Sequence, residues 1–259
     1  MGVGVAIGVL VSWAVSLVWG LERGVGEFSV PALVAFVALR TFLTAGLFIT
    51  AHDAIHGTVC RRAWLNDAIG RVAALLFAGF SYSRLAERHR AHHAEPTRED
   101  DPDFHRGSYP AWLGRFFWGY ATWYQLGTMA LIFNLLHLRF DALSLWAFWG
   151  GPAILAGVQL FTFGTWLPHR NPTPALGPHR ARSFAHGAVL AFLSSWFFAY
   201  HREHHEHPGA PWWRLASIAR SRGPSSRTSP RAPSRSPSVR PRRTGRGSSS
   251  SPARSSPAR

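Results

Sequence analysis

The chain contains a single cysteine and no lysine at all. One thiol, Cys60, excludes an internal disulfide bond, and it excludes zinc or iron–sulfur sites that need several cysteine ligands. The 28 basic residues are therefore all arginine, and with 13 acidic residues they give a formal net charge of +15. Acidic residues are missing altogether from residues 219–259. Much of the basic character therefore belongs to that segment.

The composition separates a body, residues 1–218, from a tail, residues 219–259. The tail is dominated by Ser, Pro and Arg and holds 11 arginines, which leaves about +4 for the body. A segment of this composition cannot bury enough apolar surface to fold, so we expect it to be disordered. Binding of the tail to RNA or acidic lipid is conceivable from its charge, but we expect no nucleic-acid partner. A shifted reading frame in GC-rich DNA is a second interpretation of the tail.

The body contains four apolar runs of the length needed to cross a bilayer, about 17 to 25 residues. They are residues 3–20, 30–51, 111–136 and 143–163. We therefore predict an all-α integral membrane bundle with about four transmembrane helices. The first run lacks the positive leader and small-residue cleavage site of a secretory signal, so we expect a retained helix. Two shorter, interrupted stretches, 68–80 and 184–200, are expected to be partly embedded or packed against the others.

Arginines indicate which side of the membrane each end of the body faces. They gather near the histidines, at Arg61, Arg62, Arg84, Arg88, Arg90, Arg170, Arg180 and Arg182. Positive charge favours the cytoplasmic side, so the histidine end is predicted to be cytoplasmic, in a multi-pass protein. The connections at 21–29 and 137–142 hold few positive charges and suit the opposite side. Arg40 lies within the second run and must face a polar interior or reach towards the interface.

Nine histidines form tight sets where apolar stretches end. The sets are His52 and His56; His89, His92 and His93; His169; and His201, His204 and His205. Spacings of three and four residues place side chains on one face of a helix, and neutral imidazole is a common ligand of transition metals. The pattern His-x-x-His-His occurs twice. The sequence therefore predicts a metal centre at a membrane surface.

The number of histidines favours two ions. One zinc ion takes four ligands, and a catalytic zinc takes three from the protein, so nine imidazoles exceed the need of a single ion. Two ions that prefer six ligands and keep positions open for oxygen would use eight or nine nitrogens. We therefore predict two non-haem iron ions, with O₂ as co-substrate and electrons from soluble carriers. Spacing alone does not distinguish iron from manganese.

Carboxylates near these sets are candidates for orienting the rings, because a metal-bound imidazole usually donates its other N–H to an acid or a carbonyl. The candidates are Asp53, Asp101 and Glu203, and Asp53 is the one that we name as the catalytic candidate, in this supporting sense. The remaining histidines are left outside the metal site: His105, His137, His179, His186 and His207.

Four longer sequence motifs are more specific indicators of a protein family than the histidine sets. They are GLFITAHDAIHGTV at 46–59, HRAHHAEP with DDPDF at 89–104, LFTFGTWLPHR at 160–170 and HREHHEHPGAPWWRL at 201–215. Together they resemble the bacterial-type β-carotene ketolases, within the superfamily of membrane fatty acid desaturases and hydroxylases. The resemblance spans about residues 40 to 218.

The resemblance implies a non-haem di-iron oxygenase that oxidises C4 and C4′ of β-ionone rings, converting β-carotene through echinenone to canthaxanthin. It implies two successive hydroxylations at one carbon followed by loss of water, with electrons from an external, ferredoxin-type donor. It also implies that the nine histidines are the ligands and that the protein lies in the bacterial inner membrane. The preferred carotenoid remains open, and zeaxanthin is a second candidate.

One position departs from the family pattern. The family usually carries a further histidine four residues before the last set, where this chain has Phe197. Aromatic side chains are dense nearby, and we predict Phe163, Trp166 and Phe197 as substrate-binding residues because flat conjugated rings pack well on aromatic walls. Trp212 and Trp213 are expected at the membrane interface.

Two other functions remain as alternatives. One is a different histidine-box membrane enzyme, either a carotenoid ring hydroxylase or a fatty-acyl desaturase. The more remote one is a membrane metal-binding protein without enzymatic activity, which would need polar residues along its spans. The word Phe-Gly-Thr-Trp-Leu-Pro-His-Arg favours the ketolase.

Overall fold

The computed structural model describes residues 1–184 and 187–221, and the regular secondary structure within these ranges is helical throughout. The all-α prediction is confirmed for this part of the chain. The helices are α1 Gly2–Arg23, α2 Val30–Ile55, α3 Ala63–Ala78, α4 Tyr82–Ala94, α5 Tyr109–Tyr120, α6 Trp123–His137, α7 Ala142–His169, α8 Ala188–Ser195, α9 His201–Glu206 and α10 Trp212–Ser221. Most of the predicted tail lies outside the described residues, although α10 continues to Ser221.

Within the described residues, three helices are long and apolar enough to cross a membrane: α1, α2 and α7. The chain folds them so that α1 runs against the direction of α2 and α7. At one end the backbone N–H of Val25, just after α1, donates to Ser144 Oγ near the start of α7, at 3.0 Å. At the other end Gly2 lies against the carbonyl of Val59, just after α2. The ends of α2 and α7 that carry histidines therefore lie at the same end of the bundle.

The fourth expected span is not one helix. Residues 111–136 divide between α5 and α6, because Ala121 and Thr122 adopt extended backbone. Thr122 caps the second helix, and its hydroxyl accepts the N–H of Gln125 at 3.1 Å. The two helices together still lead from the histidine end to the opposite end, where Arg139 pairs with Glu22 at 2.9 Å. The expectation of a continuous span here was wrong, because a threonine N-cap interrupts an otherwise apolar run.

Two prolines distort α7 into π-helical segments. Pro152 has no N–H, so the Phe148 carbonyl four residues before it lacks its usual helical partner. The segment just before it, Trp146–Gly150, is π-helical. A second π segment, Thr162–Trp166, precedes Pro168 in the same way. Both segments follow from prolines within an apolar run, and the second lies beside the histidine end.

Arg40 uses the carbonyl that Pro152 leaves free. Its Nε donates to the Phe148 carbonyl at 2.9 Å, and its Nη1 donates to the Trp13 carbonyl and to Ser16 Oγ, both at 2.6 Å. The guanidinium is fully buried and also lies over the Trp13 ring. Of the two predicted alternatives, Arg40 therefore takes the polar interior, and it connects α1, α2 and α7.

The segment between α2 and α4 returns the chain to the histidine end. Asn66 on α3 donates to the carbonyl of Ala54 at 2.7 Å, which fixes the start of α3 against the end of α2. The helix ends at Gly79, whose φ of 70° is in the left-handed region that favours glycine. Ser81 then caps α4, the helix that carries His89, His92 and His93.

The stretch 184–200 contains α8 and a tight turn after it. Trp196 and Phe197 have positive φ angles of 53° and 63°, which are uncommon for bulky residues. The turn is held in place because Trp196 Nε1 donates to the carbonyl of Phe42 on α2 at 2.8 Å. It directs the chain into α9, the helix that carries the last three histidines.

Candidate metal centre

The nine predicted histidines converge from α2, α4, α7 and α9. They form two groups, and in each group the candidate ligand atoms lie within 4.8 Å of one another. Group one is His52, His56, His89, His93 and His204; group two is His92, His169, His201 and His205. Seven of the nine side chains are buried, and His56 and His93 are partly exposed.

Group one is arranged around His204. The Nε2 atom of His204 lies 3.1 Å from Nε2 of His52 and 2.9 Å from Nε2 of His93. His56 and His89 approach each other through the same atoms, at 2.8 Å. The five rings therefore present Nε2 atoms to a common centre, although they come from three helices.

Group two has the same character. Nε2 of His201 lies 2.9 Å from Nε2 of His169 and 3.0 Å from Nε2 of His205. His205 also approaches His92, with 3.2 Å between their Nε2 atoms. The two groups are adjacent, because the rings of His93 and His205 stack with centroids 4.2 Å apart.

These distances fit a metal ion better than a network of hydrogen bonds. A neutral imidazole carries a proton on one nitrogen and a lone pair on the other. Nε2 of His204 has two close Nε2 neighbours, and so does Nε2 of His201. One lone pair or one proton cannot serve two such neighbours equally well, whereas a cation between the rings accepts every lone pair at once. The donor set therefore fits a metal ion in each group.

Burial keeps most of these rings in the form that binds metal. It lowers the pKa of His89 and of His204 well below the usual value, and nearby histidines lower both further. Burial, with the charge of Arg90, lowers the pKa of His56 to about 4. At His92 burial also acts to lower the pKa, but the hydrogen bond to Asp101 and the charges of Asp103 and Asp101 raise it overall. Most of the rings are therefore neutral at physiological pH.

In His92 and His169, the ring nitrogen that faces away from the centre has a hydrogen-bond partner. Asp101 contacts Nδ1 of His92 with both carboxylate oxygens, each at 3.0 Å. The carbonyl of Arg180 accepts from Nδ1 of His169 at 3.2 Å. Such bonds fix the tautomer in which Nε2 carries the lone pair. The placement of Asp101 agrees with the predicted supporting role.

Asp53 and Glu203, unlike Asp101, show no hydrogen bond to a histidine ring within the described structure. Asp53 lies 3.7 Å from Nδ1 of His52, and its Oδ2 accepts the backbone N–H of Trp212 at 3.2 Å. It therefore joins the first histidine helix to the start of α10, and its role at the site stays a prediction. Glu203 accepts a short hydrogen bond from the Ser183 hydroxyl. Within the described structure it shows no hydrogen bond to a histidine ring.

The histidines left out of the prediction also lie outside both groups. This holds for His105, His137, His179 and His207. His179 comes nearest, with its ring centroid 5.8 Å from that of His205. His186 lies outside the described residues.

An apolar cavity of about 710 Å³ leads to the histidine end. His52, His89, His92 and His201 form part of its wall, and most of the remaining wall is aromatic or aliphatic. Phe198 lies beside these histidines in the wall, with its ring centroid 4.8 Å from that of His52 and 5.1 Å from that of His201. Exposed residues of α5, α6 and α7 line the cavity farther out, including Trp118, Leu126 and Ile154.

The three aromatic residues predicted to bind substrate do not line this cavity. Trp166 packs edge-on against Tyr109 and lies beneath the Arg170 guanidinium. Phe197 belongs to an aromatic cluster with Phe192 and Trp212, and Phe163 is half-buried on the second π segment. The prediction chose aromatics by their distance along the chain from the histidines. Helical and π-helical turns direct neighbouring side chains to different faces, which explains why these three residues lie outside the wall; their role in substrate binding stays a prediction.

The wall is formed instead by aromatic residues from distant segments: Phe48, Phe77, Phe80, Phe116, Phe117, Trp149 and Phe198. The position of Phe197 also bears on its departure from the family pattern. Its ring contacts other aromatic rings and faces neither group of ligands. Both groups of histidines are complete without a ligand from position 197.

Sequence reasoning missed a second carboxyl group beside the site. Asp103 is buried, lines the cavity and accepts a hydrogen bond from the Tyr120 hydroxyl at 2.6 Å. The motif DDPDF pointed to Asp101, and its last acidic residue, Asp103, was a signal in the sequence that was not used. Tyr120 gave none, because it stands in an apolar run that predicts only a membrane helix.

The chain was compared with known proteins. The fatty acid desaturase family profile matches residues 28–141 and 105–228. A β-carotene ketolase of Paracoccus sp. (strain N81106 / MBIC 01143) is 39% identical over 217 residues, which cover 81% of this chain and 88% of the relative. A β-carotene ketolase of Paracoccus sp. (strain PC1) is 38% identical, covering 86% of this chain and 94% of the relative. No solved structure matches the chain.

A more distant relative from an alga carries a different name. The zeaxanthin 4-ketolase of Chlamydomonas reinhardtii is 37% identical over 233 residues, which cover 83% of this chain and 52% of the relative. The profile match and these identities extend across the four histidine-bearing segments. The chain therefore belongs to the fatty acid desaturase family, and its relatives within that family are the β-carotene ketolases.

Proposed function

We propose that this protein is a carotenoid 4-ketolase that oxidises C4 and C4′ of β-ionone rings with O₂ at a pair of non-haem iron ions. The observation that carries the proposal is the convergence of nine imidazole nitrogens, in two groups, at the inner end of a large apolar cavity. The names of the relatives give the substrate class. The cavity gives the reason why a hydrocarbon ring is bound.

Group one and group two would each hold one ion, through five and four imidazoles respectively. When bound, iron supplies the activation of O₂ that oxidation of a C–H bond requires. Asp101 and the carbonyl of Arg180 keep His92 and His169 aimed inward. The neutral, buried rings need lose no proton before they bind the ions, and the apolar wall keeps bulk water from the reacting carbon.

The cavity suits a long hydrocarbon with a flat ring at its end. Its aromatic wall would pack against the ring near the ligands, where Phe198 contacts His52 and His201. Farther out, the lining residues Trp118, Leu126 and Ile154 are exposed on the surface of helices that we place against lipid. We therefore infer that the carotenoid enters sideways from the bilayer rather than from water.

We place the histidine end at the cytoplasmic side of a bacterial inner membrane, in a multi-pass protein. Arginines are frequent on this end, and a polar cleft there is lined by Arg98, Arg106 and Arg180 together with Glu95. Cationic surfaces of this kind attract acidic partners. A soluble electron carrier of the ferredoxin type would therefore approach the metal centre from this side.

The test is pigment chromatography of bacteria that accumulate β-carotene and express the chain. We expect echinenone and canthaxanthin with the unchanged chain. With His92→Ala or His204→Ala we expect roughly a hundredfold less of both products, because each variant removes one metal ligand. His137→Ala is the matched control, since His137 is exposed and outside both groups. It should retain the yield of the unchanged chain.

Other products would identify a different function. Carotenoids hydroxylated at C3 would support a ring hydroxylase, and newly unsaturated acyl chains would support a desaturase. Unchanged β-carotene in membranes that contain the iron-loaded protein would contradict the proposal. Equal loss of product in His137→Ala would show that the histidine variants fail for reasons other than metal binding.

A further inference from the structure

Among the described residues that line the cavity, one carries a carboxyl group, Asp103. Its backbone N–H donates to Asp101 Oδ1 at 2.9 Å, and its carbonyl accepts from Trp112 Nε1 at 2.8 Å. Asp101 in turn contacts Nδ1 of His92. Two hydrogen bonds thus connect Asp103 to a ligand of group two, which places its carboxyl group at the inner end of the cavity.

The carboxyl group has one partner and room for another. Tyr120 donates to its Oδ1 at 2.6 Å, and no described hydrogen bond engages Oδ2. Asp103 is only 8% exposed, and burial raises the pKa of its carboxyl group above the ordinary value. An acceptor oxygen without a described partner, in the wall of an apolar cavity, can accept a hydrogen bond from a hydroxyl group of a bound ligand.

Packing holds this pair of side chains in place. The Tyr120 ring is buried beneath the Arg88 guanidinium, whose carbon atom lies 4.4 Å from the ring centroid. Arg88 also donates to the carbonyl of Pro102, at 3.0 Å. The carboxyl group of Asp103 is therefore held in one orientation before a substrate arrives. A preorganised acceptor of this kind loses little conformational entropy when it binds a hydroxyl group.

The chemistry of the substrate indicates what the carboxyl group binds. An unsubstituted β-ionone ring has no polar group, so it gains nothing from Asp103 and leaves Oδ2 unpaired. A hydroxyl at C3 is on the carbon next to C4, the carbon that must face the ligands. When C4 lies at the inner end of the cavity, a C3 hydroxyl lies there too, in reach of a carboxyl group on the same wall.

We propose that Asp103, oriented by Tyr120, binds the C3 hydroxyl of a hydroxylated ring and so sets the preference of this protein between zeaxanthin and β-carotene. The inference rests on the proposed ketolase function and adds a specificity-determining residue to it. Asp103 contacts the substrate beside the reacting carbon and takes no part in the oxidation. Its removal therefore affects the hydroxylated substrate selectively.

The experiment supplies zeaxanthin and β-carotene together, in equal amounts, to membranes that contain the iron-loaded protein. The measured quantity is the ratio of ketolated zeaxanthin to ketolated β-carotene, which is independent of the amount of folded protein. In Asp103→Leu we expect this ratio to fall roughly three- to tenfold, the effect of one lost hydrogen bond. Tyr120→Phe should lower it less, and Asp103→Asn should restore most of it because the amide still bonds a hydroxyl.

Phe116→Leu is the matched control, because Phe116 lines the same cavity, contacts the Tyr120 ring and has no polar atom. It should change both conversions in the same proportion. An unchanged ratio in Asp103→Leu, with β-carotene still ketolated, would overturn the inference and leave the proposed function standing. Conversion of neither carotenoid by the unchanged chain would overturn the proposed function itself.

Discussion

At the scale of single residues, the outward nitrogen of each histidine decides how firmly its ring is held. His92 has the strongest outer partner, because Asp101 contacts its Nδ1 with both oxygens and is itself held by the backbone N–H groups of Thr97 and Asp103. By contrast, Nδ1 of His201 and of His205 shows no hydrogen bond within the described structure. The rings of group two are thus held unequally, and Asp101 contributes most to their order.

We predict that Asp101→Ala weakens iron binding by about 10- to 100-fold, the usual effect of losing such a partner. Competition with a chelator, followed by iron analysis of the purified protein, measures the change. Asp100→Ala is the control, because that carboxylate is exposed and pairs only loosely with Arg98, at 3.7 Å. Asp101→Asn should lie between the two, since its amide oxygen still accepts from the ring. Equal iron retention in all three variants would rule out this role.

The sequence predicted the nine histidines as the candidate site, because their spacing is local and their side-chain chemistry is specific. It did not predict their division into two groups. His92 and His93 are neighbours in the chain, yet the structure assigns them to different groups, since adjacent residues on α4 point in different directions. Only the packing of α9 against α2 and α4 decides which rings meet.

At the scale of helices, the π segments of α7 connect the membrane part to the site. The first frees a carbonyl for Arg40, and the second places Gly164 against the Phe198 ring. A side chain at position 164 would overlap that ring, so the helix and the last histidine loop can approach this closely only at a glycine. In the sequence, Pro152 and Pro168 indicate where the two π-helical distortions occur, but hydropathy alone predicts an unbroken helix.

We expect Gly164→Ala to displace Phe198 and to destabilise the protein by about 1 to 3 kcal/mol, as overpacking of a tight contact does. Because Phe198 contacts His52 and His201, product yield should fall as well. Thermal unfolding in detergent and pigment yield are the two measurements. Gly127→Ala on α6 is the control, because a methyl group there would meet no neighbouring atom within 4 Å.

A wild-type yield and melting temperature in Gly164→Ala would mean that Phe198 can move aside without consequence. That result would remove the reason for linking the position of Phe198 to the positions of His52 and His201. Reduced stability with normal yield would show that the contact matters for folding alone. Gly127→Ala separates both results from a general effect of alanine on membrane helices.

At the scale of the whole molecule, the antiparallel course of the helices brings distant segments to one end. Apolar length alone predicted α1, α2 and α7 as candidate spans, and the structure confirms them by length and composition. It could not predict the break between α5 and α6, because Thr122 is an ordinary residue within a long apolar run until its hydroxyl caps a helix. The number of membrane crossings stays a prediction.

The cavity is likewise a property of the whole bundle. Its wall combines Phe48 of α2, Phe77 of α3, Phe116 of α5 and Trp149 of α7, residues that no local pattern connects. Sequence proximity to the histidines therefore does not identify the aromatic residues of this wall. The family words predicted the chemistry, whereas the contacts that shape the substrate site depend on how the helices pack.

If the nine histidines form two metal sites on one chain, the purified protein should bind two metal ions. The most direct measurement is the number of iron ions per chain in protein purified from iron-supplied cells, by elemental analysis against protein mass. We predict about two iron ions per chain, and about one or fewer after His204→Ala or His205→Ala. The His137→Ala variant should bind as many iron ions as the unchanged chain. A single ion per chain, or zinc in place of iron in catalytically active protein, would contradict this prediction.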